Sequence, residues 1–176
     1  MRQVIAALAL VALCGCGTMP GEYKPSQTGP IGAPEIVSGL SVSIASRSDQ
    51  VAFGQQIIFN VTVSNASDMI FWLPQEPFIR FTWTHANGRR DMIIVEHPAE
   101  QYFTAQDAVK FYPGETHVSQ TRIPTGYFPV RGITEFKAIY KAPRNTNPDL
   151  RPFWNGEARS NRYGVDIRSR KYNGGH

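Results

Sequence analysis

Apolar side chains in this chain recur at every second position, and that period constrains the fold more than any other feature. Leu40, Val42 and Ile44 alternate with serines, and Ile57, Phe59, Val61 and Val63 alternate with Ile58, Asn60 and Thr62 after a turn at Gly54. Asn65-Ala66-Ser67-Asp68 is a turn cluster, after which Met69 to Leu73 reads as a short apolar strand stopped by Pro74. Ile79, Phe81 and Trp83 form another alternating set, and Asn87-Gly88 signals a hairpin before a strand over 91–95. Val109 and Phe111 lead into a Pro113-Gly114 turn, from which Thr116 to Ile123 returns. Phe136, Ala138 and Tyr140 alternate next, and Tyr163, Val165 and Ile167 form a last strand after a break at Ser160-Asn161. No window keeps a helical apolar stripe, and residues 97–109 are the best candidate for a short helix or an irregular excursion. About eight short strands with turn signals between them predict an all-β, antiparallel β-sandwich. The roughly 130 residues involved suffice for one core and are too few for two domains.

The segment before this pattern has a different logic. Arg2 precedes an uncharged apolar run from Val4 to Leu13. Such a run is about half the length of a membrane-spanning helix and has the flanks of a secretory signal. Leu13-Cys14-Gly15-Cys16 resembles the lipobox of bacterial lipoproteins: a leucine, two small residues, then the cysteine that receives the lipid. Cys14 follows the bulky Leu13, whereas Cys16 follows Gly15, so Cys16 is the expected lipid site. The resemblance implies a signal peptide over 1–15, removed with Cys14, and a thioether-linked lipid on Cys16. No free thiol would then remain for a disulfide, a metal or nucleophilic attack. Three acyl chains, usual in such lipoproteins, exceed the two signals that stable membrane attachment requires. Gly17 replaces the aspartate that retains enteric lipoproteins in the inner membrane. In a Gram-negative host this implies an outer-membrane lipoprotein facing the periplasm, with surface exposure open.

Residues 16–36 are rich in proline and glycine and read as a lipidated cysteine followed by a flexible linker. Twenty such residues span roughly 25 Å as a coil and about 60 Å as polyproline. The sandwich is expected over 37–168, followed by a basic flexible tail over 169–176.

Four segments within 37–168 resemble bacterial immunoglobulin-like domains. Residues 51–65 look like their second strand, with a glycine turn, an alternating run and a closing asparagine. Phe111-Tyr112-Pro113-Gly114-Glu115 resembles their later proline-glycine turn, and 132–140 the strand that carries a buried tyrosine. Residues 154–161 are similar to their closing segment. The resemblance implies an immunoglobulin-like sandwich without the paired cysteines or core tryptophan of antibody domains, and it brings no active site with it.

Catalytic chemistry finds little support. No serine sits in a Gly-x-Ser-x-Gly elbow and no glycine-rich phosphate loop precedes a helix. His85, His97 and His117 lack the spacing of a zinc motif, although convergence in space, with Asp91 or Glu96, would make a metal site. His176 belongs to the tail. Glu96 and Glu100 flank Pro98 on a loop that cannot hold two carboxylates at a set separation. The expectation is a non-enzymatic protein without metal, its only prosthetic group the lipid on Cys16.

Binding has better candidates. Phe71 and Trp72 are neighbours, and alternation cannot place both on one face, so one of them is a rim residue under a loop or an exposed anchor for a partner. Residues 144–176 carry seven cations against Asp149, Glu157 and Asp166, an excess equal to the chain's formal charge of +4. Arg168, Arg170 and Lys171 begin the basic tail and are the second group of candidate contact residues. An anionic lipid or glycan is a conceivable ligand at the envelope, while an exported chain has little use for nucleic acid. The sequence therefore points to a lipid-anchored envelope binding or assembly subunit that acts through protein-protein contacts. An immunoglobulin-like proteinase inhibitor using a loop over 96–107 is the alternative, and a metal-dependent envelope enzyme the remote one.

Overall fold

The computed structural model describes residues 24–76, 78–93, 98–128 and 131–169. The signal segment, Cys16, Glu96, His97, Arg170, Lys171 and His176 lie outside them. The first strands are β1 (Gly29–Ile31), β2 (Ile36–Val37), β3 (Leu40–Ser46), β4 (Gln50–Ala52) and β5 (Gln56–Asn65). Then come β6 (Phe71–Pro74), β7 (Ile79–Thr84), β8 (Arg90–Met92), β9 (Glu100–Gln101) and β10 (Ala108–Phe111). The last are β11 (Thr116–Pro124), β12 (Gly132–Ala142), β13 (Arg144–Asn145) and β14 (Gly156–Arg168), with one 3-10 turn at Thr125–Tyr127.

Two sheets face each other. One has the order β1-β14-β12-β7-β8, with β4 also on β14; the other runs β11-β5-β3-β2. The facing strands β3-β5-β11 and β14-β12-β7-β8 have the A-B-E and G-F-C-C′ order of an immunoglobulin-like sandwich. Alternation builds the core as expected: Leu40, Val42, Ile57, Phe59 and Val61 of one sheet meet Phe81, Phe136, Ala138 and Val165 of the other. Phe59 is the centre, with its ring 5.3 Å from Phe81, 5.0 Å from Phe136 and 6.0 Å from Tyr163.

Four departures from the sequence pattern have physical causes. First, Ser160-Asn161 is no break, because β14 runs unbroken through thirteen residues. The register against β12 slips there, so that Ser160 and Asn161 together oppose Ala138. This β-bulge turns both side chains inward, where Ser160 Oγ accepts a hydrogen bond from the Ala138 amide at 2.9 Å. Second, the segment read as a linker from 16 to 36 carries β1, which pairs with residues 162–164 of β14. Proline is tolerated on such an edge strand. Gly164 permits the close approach, since a Cβ there would fall on the Gln27 carbonyl. The sandwich thus begins at Gly29, not at residue 37.

Third, no helix forms over the described part of 97–109. β9 pairs in parallel with β13, and β10 pairs with β6. Between them the Asp107 carboxylate accepts from the Thr104 amide and hydroxyl, which folds a tight turn instead of a helix. Fourth, the apolar run from Met69 to Leu73 is not all strand. β6 starts at Phe71, and Met69 and Ile70 stay in the preceding loop, exposed at 58% and 45%.

Candidate functional site

Asn65 ends β5 and organises one pole of the sandwich. Its buried side chain donates from Nδ2 to the carbonyls of Met69 at 2.7 Å and Phe111 at 3.0 Å. Oδ1 accepts from the Ser67 amide and hydroxyl. Its own amide donates to Glu115, and its carbonyl accepts from Gly114. One residue thereby ties the loop over 66–70 to the turn over 112–115, with every polar atom of its carboxamide satisfied.

The neighbouring loops are held as firmly. Gly39 has φ +80°, and a Cβ there would collide with Ser67; its carbonyl accepts from the Ala66 amide at 2.7 Å. Trp154 Nε1 donates to the Val37 carbonyl at 3.1 Å. The Trp72 amide donates to Pro152, and Trp72 in turn accepts from the Trp154 amide. Segments 36–39, 66–70, 112–115 and 152–155 are therefore locked together at this pole. Ile36, Met69, Ile70 and Tyr112 on it are each at least 45% exposed, and a cavity of about 410 Å³ lies between Met69, Ser38 and Phe153.

At the opposite pole, the Phe53 amide donates to Arg168 at the end of β14 and the Thr125 amide to Gln55. The Arg131 guanidinium covers the Phe53 ring at 3.4 Å. β1 is antiparallel to β14, so the chain before Gly29 arrives from this pole as well. His85 lies here, 1% exposed, with Nε2 at 2.9 Å from Asp91 Oδ2 and its ring packed on Phe128 and Trp83. The hydrogen bond from His85 holds the Asp91 carboxyl below the usual carboxylate range; burial opposes the shift and Arg89 adds to it. His85 Nδ1 is buried without a partner among the described residues. An imidazole sealed on that side offers no nitrogen to a substrate, and the pair reads as a structural clamp.

The sequence-predicted candidates separate. His117 sits at the Asn65 pole against Phe111, and 3.2 Å from Glu115, so it does not meet His85. Among the described residues no three His, Cys, Asp or Glu side chains gather in metal-binding fashion. Phe71, a candidate contact residue, is in the core at 5% exposure, edge-on to Phe111. Trp72 faces the other way and is half-buried in a second apolar cluster with Phe78, Phe103, Leu150 and Phe153. That cluster resolves the alternation conflict, because residues 103–108 and 150–153 cover the outer side of β6. Lys110 Nζ stands 5.3 Å from the Trp72 ring. Arg168 is exposed and bound through Nε to Asp166 at 2.7 Å. Of the cations counted toward a basic C-terminal part, Arg159 pairs with Glu157 and Arg162 with the buried Glu135. Residues 100–107, part of the proposed inhibitory loop, are tied to the domain through β9 and Phe103, while Tyr102 and residues 104–107 stay exposed.

No protein-family model matches the chain, and no curated protein does. Among solved structures, it is similar to the crystal structure of the CARDB domain of the PF1109 protein from Pyrococcus furiosus in complex with di-metal ions. The identity is 16%, with 77% of this chain and 94% of that one covered at a TM-score of 0.38. The solution structure of the same CARDB domain aligns over 73% of this chain and 94% of that one, at 16% identity and a TM-score of 0.37. The C-terminal domain of wzt aligns over 86% of this chain and 80% of that one, at 13% identity and a TM-score of 0.37.

Sequence reasoning found the turn at Asn65 but not its role, which needs the carbonyls of two other segments. Exposure of Met69 and Ile70 had a signal in retrospect: their apolar run begins directly after a turn cluster, before the pleat can bury it.

Proposed function

We propose that the protein is a lipid-tethered binding module of the bacterial envelope that presents its Asn65 pole to a protein partner. The observation that carries this reading is polarity. The chain reaches the sandwich from one end, whereas Ile36 on β2 and Met69, Ile70 and Tyr112 on hydrogen-bonded loops stand exposed at the other. A lipid on Cys16 would attach the first pole to the membrane and aim the second away from it. The chain between Cys16 and the packed segment around Gln27 would supply the reach between anchor and domain. Binding, not catalysis, is the role this arrangement supports. In a Gram-negative cell the module would sit on the outer membrane and face the periplasm.

Two measurements test it. Mass spectrometry of the protein from membranes should find an acylated Cys16, and Cys16→Ser should move the protein to the soluble fraction. A photo-crosslinking residue placed at Met69, Ile70 or Tyr112 should capture one discrete envelope protein, while the same residue at Ser48 or Gln50 of the opposite pole should not. Equal capture from both poles, or membrane background alone, would overturn the assignment of the contact surface.

A further inference from the structure

The sandwich closes its lateral edges unequally. The outer side of β14 is covered by β1 and β4. On β3, β2 pairs with Leu40 and Ser41, and the Asn161 carboxamide occupies the main chain of Ile44. β11 is different. It is nine residues long and in unbroken register with β5 from Thr116 to Pro124. Its other side has no strand and no hydrogen-bonding side chain among the described residues. Its protections are few: it has no bulge and no lysine, Arg122 is its one fixed charge, and its proline comes only at the final position.

A slot lies beside this open edge. Ile123 marks the core-facing side of β11, and the other residues on that side are His117, Ser119 and Thr121. These small or polar side chains do not fill the space towards β6, and a cavity of about 380 Å³ remains. Val63, Leu73 and Tyr140 line its inner part. The Tyr140 hydroxyl is buried and has no hydrogen-bond partner among the described residues.

From the open edge and this slot we infer that β11 is a strand-addition site for an extended segment of a partner polypeptide. The segment would pair with the free side of β11 and become a fifth strand of the β11-β5-β3-β2 sheet. Main-chain bonds supply affinity in such recognition, and alternate side chains in pockets supply specificity. Here the inward side chains of the added strand need an apolar body to pack on Val63 and Leu73. A second copy of β11 fits poorly, because His117, Ser119 and Thr121 would be the side chains it offers to an apolar slot. The site runs along β11 away from the Asn65 pole, and crosslinking at Met69, Ile70 and Tyr112 tests that pole separately.

The test uses the purified full-length protein in detergent micelles and a phage-displayed library of linear dodecapeptides. Enriched peptides should alternate apolar with polar residues. Binding them should slow amide exchange at least tenfold within 117–121. Ser119→Trp, which fills the slot, should weaken binding at least tenfold. If that variant does not fold, exchange in the unmodified protein still decides. Peptides that protect other amides, or that bind Ser119→Trp equally well, would overturn the proposal. So would self-association that protects the β11 amides in the free protein, because the occupant would then be a second copy.

Discussion

The carboxamide of Asn161 holds both main-chain groups of Ile44 across the sandwich. Oδ1 accepts from the Ile44 amide at 2.9 Å, and Nδ2 donates to the Ile44 carbonyl at 3.2 Å. A side chain of one sheet thus does the work of a missing neighbour strand on the other. The bulge at Ser160-Asn161 is what aims it there. Extending the ladder by one residue converts a position that would face solvent into one that seals an edge.

Asn161→Ala should lower stability by about 2–3 kcal/mol, because two buried main-chain groups lose their partners and cannot regain water without opening the edge. Chemical denaturation of the variant and the parent measures it. A loss below about 0.5 kcal/mol would show that Ile44 is solvated in the folded protein.

Gly164→Ala should displace the chain that crosses β14. The added methyl falls on the Gln27 carbonyl, which belongs to backbone and cannot swing aside. Overpacking of this kind costs about 1–3 kcal/mol. Limited proteolysis should then cut between residues 24 and 31 at least tenfold faster than in the parent. The remaining sandwich should stay resistant.

Tyr163 predicts an alkaline limit. Burial pushes its phenol from 10.0 up to about 12, and the hydrogen bond to Asp49 at 2.6 Å adds to the shift. Below pH 10 the phenol is protonated in both folded and unfolded chains, and its contribution is complete. Above pH 10 the unfolded chain loses the proton first, so stability falls as pH rises towards 12. Tyr163→Phe should flatten that part of the profile and cost about 1 kcal/mol at neutral pH for the lost hydrogen bond. Tyr140, pushed well above the usual phenol range by burial, should keep some slope in place.

Asp91 acts in the acid direction. Its carboxyl is held low by the hydrogen bond from His85, so its contribution is present above the ordinary carboxylate value and is lost as pH falls through the folded one. Asp91→Asn should therefore reduce stability at pH 7 and flatten the loss below about pH 4. Urea midpoints at pH 7 and pH 3 compare the two chains.

Tyr140→Phe tests the unpartnered hydroxyl. Deleting a buried polar group that makes no hydrogen bond relieves its desolvation, so the variant should equal the parent or exceed it by up to about 1 kcal/mol. Thermal unfolding is sufficient to read it. A loss above 1 kcal/mol would mean that the hydroxyl is already satisfied in the free protein.

Parts of the fold were legible in the sequence because they depend on neighbours along the chain. Ile57 to Val63 announced β5, Gly54 its opening turn and Asn65 its end. Asn87-Gly88 and Pro113-Gly114 announced two further turns. The edge strand β1 was hidden, since a segment of prolines and glycines pairs only where a glycine as bare as Gly164 lets it approach. The burial of Trp72 was hidden too, because the cluster that covers it draws on Phe103, Leu150 and Phe153 from distant segments. Asn65 was visible as a turn residue and invisible as the tie between two loops.

The sequence by itself determined that this chain is an all-β sandwich. Alternating apolar residues can be buried only on one face of a pleat, and two such faces must meet. Tertiary structure alone decided that the edges at β14 and β3 close and that the one at β11 stays open. Closure at β3 depends on a bulge in a strand of the other sheet, and openness at β11 on no strand among the described residues lying beyond it. Neither condition is written in the local pattern, because each depends on which distant segment arrives beside an edge.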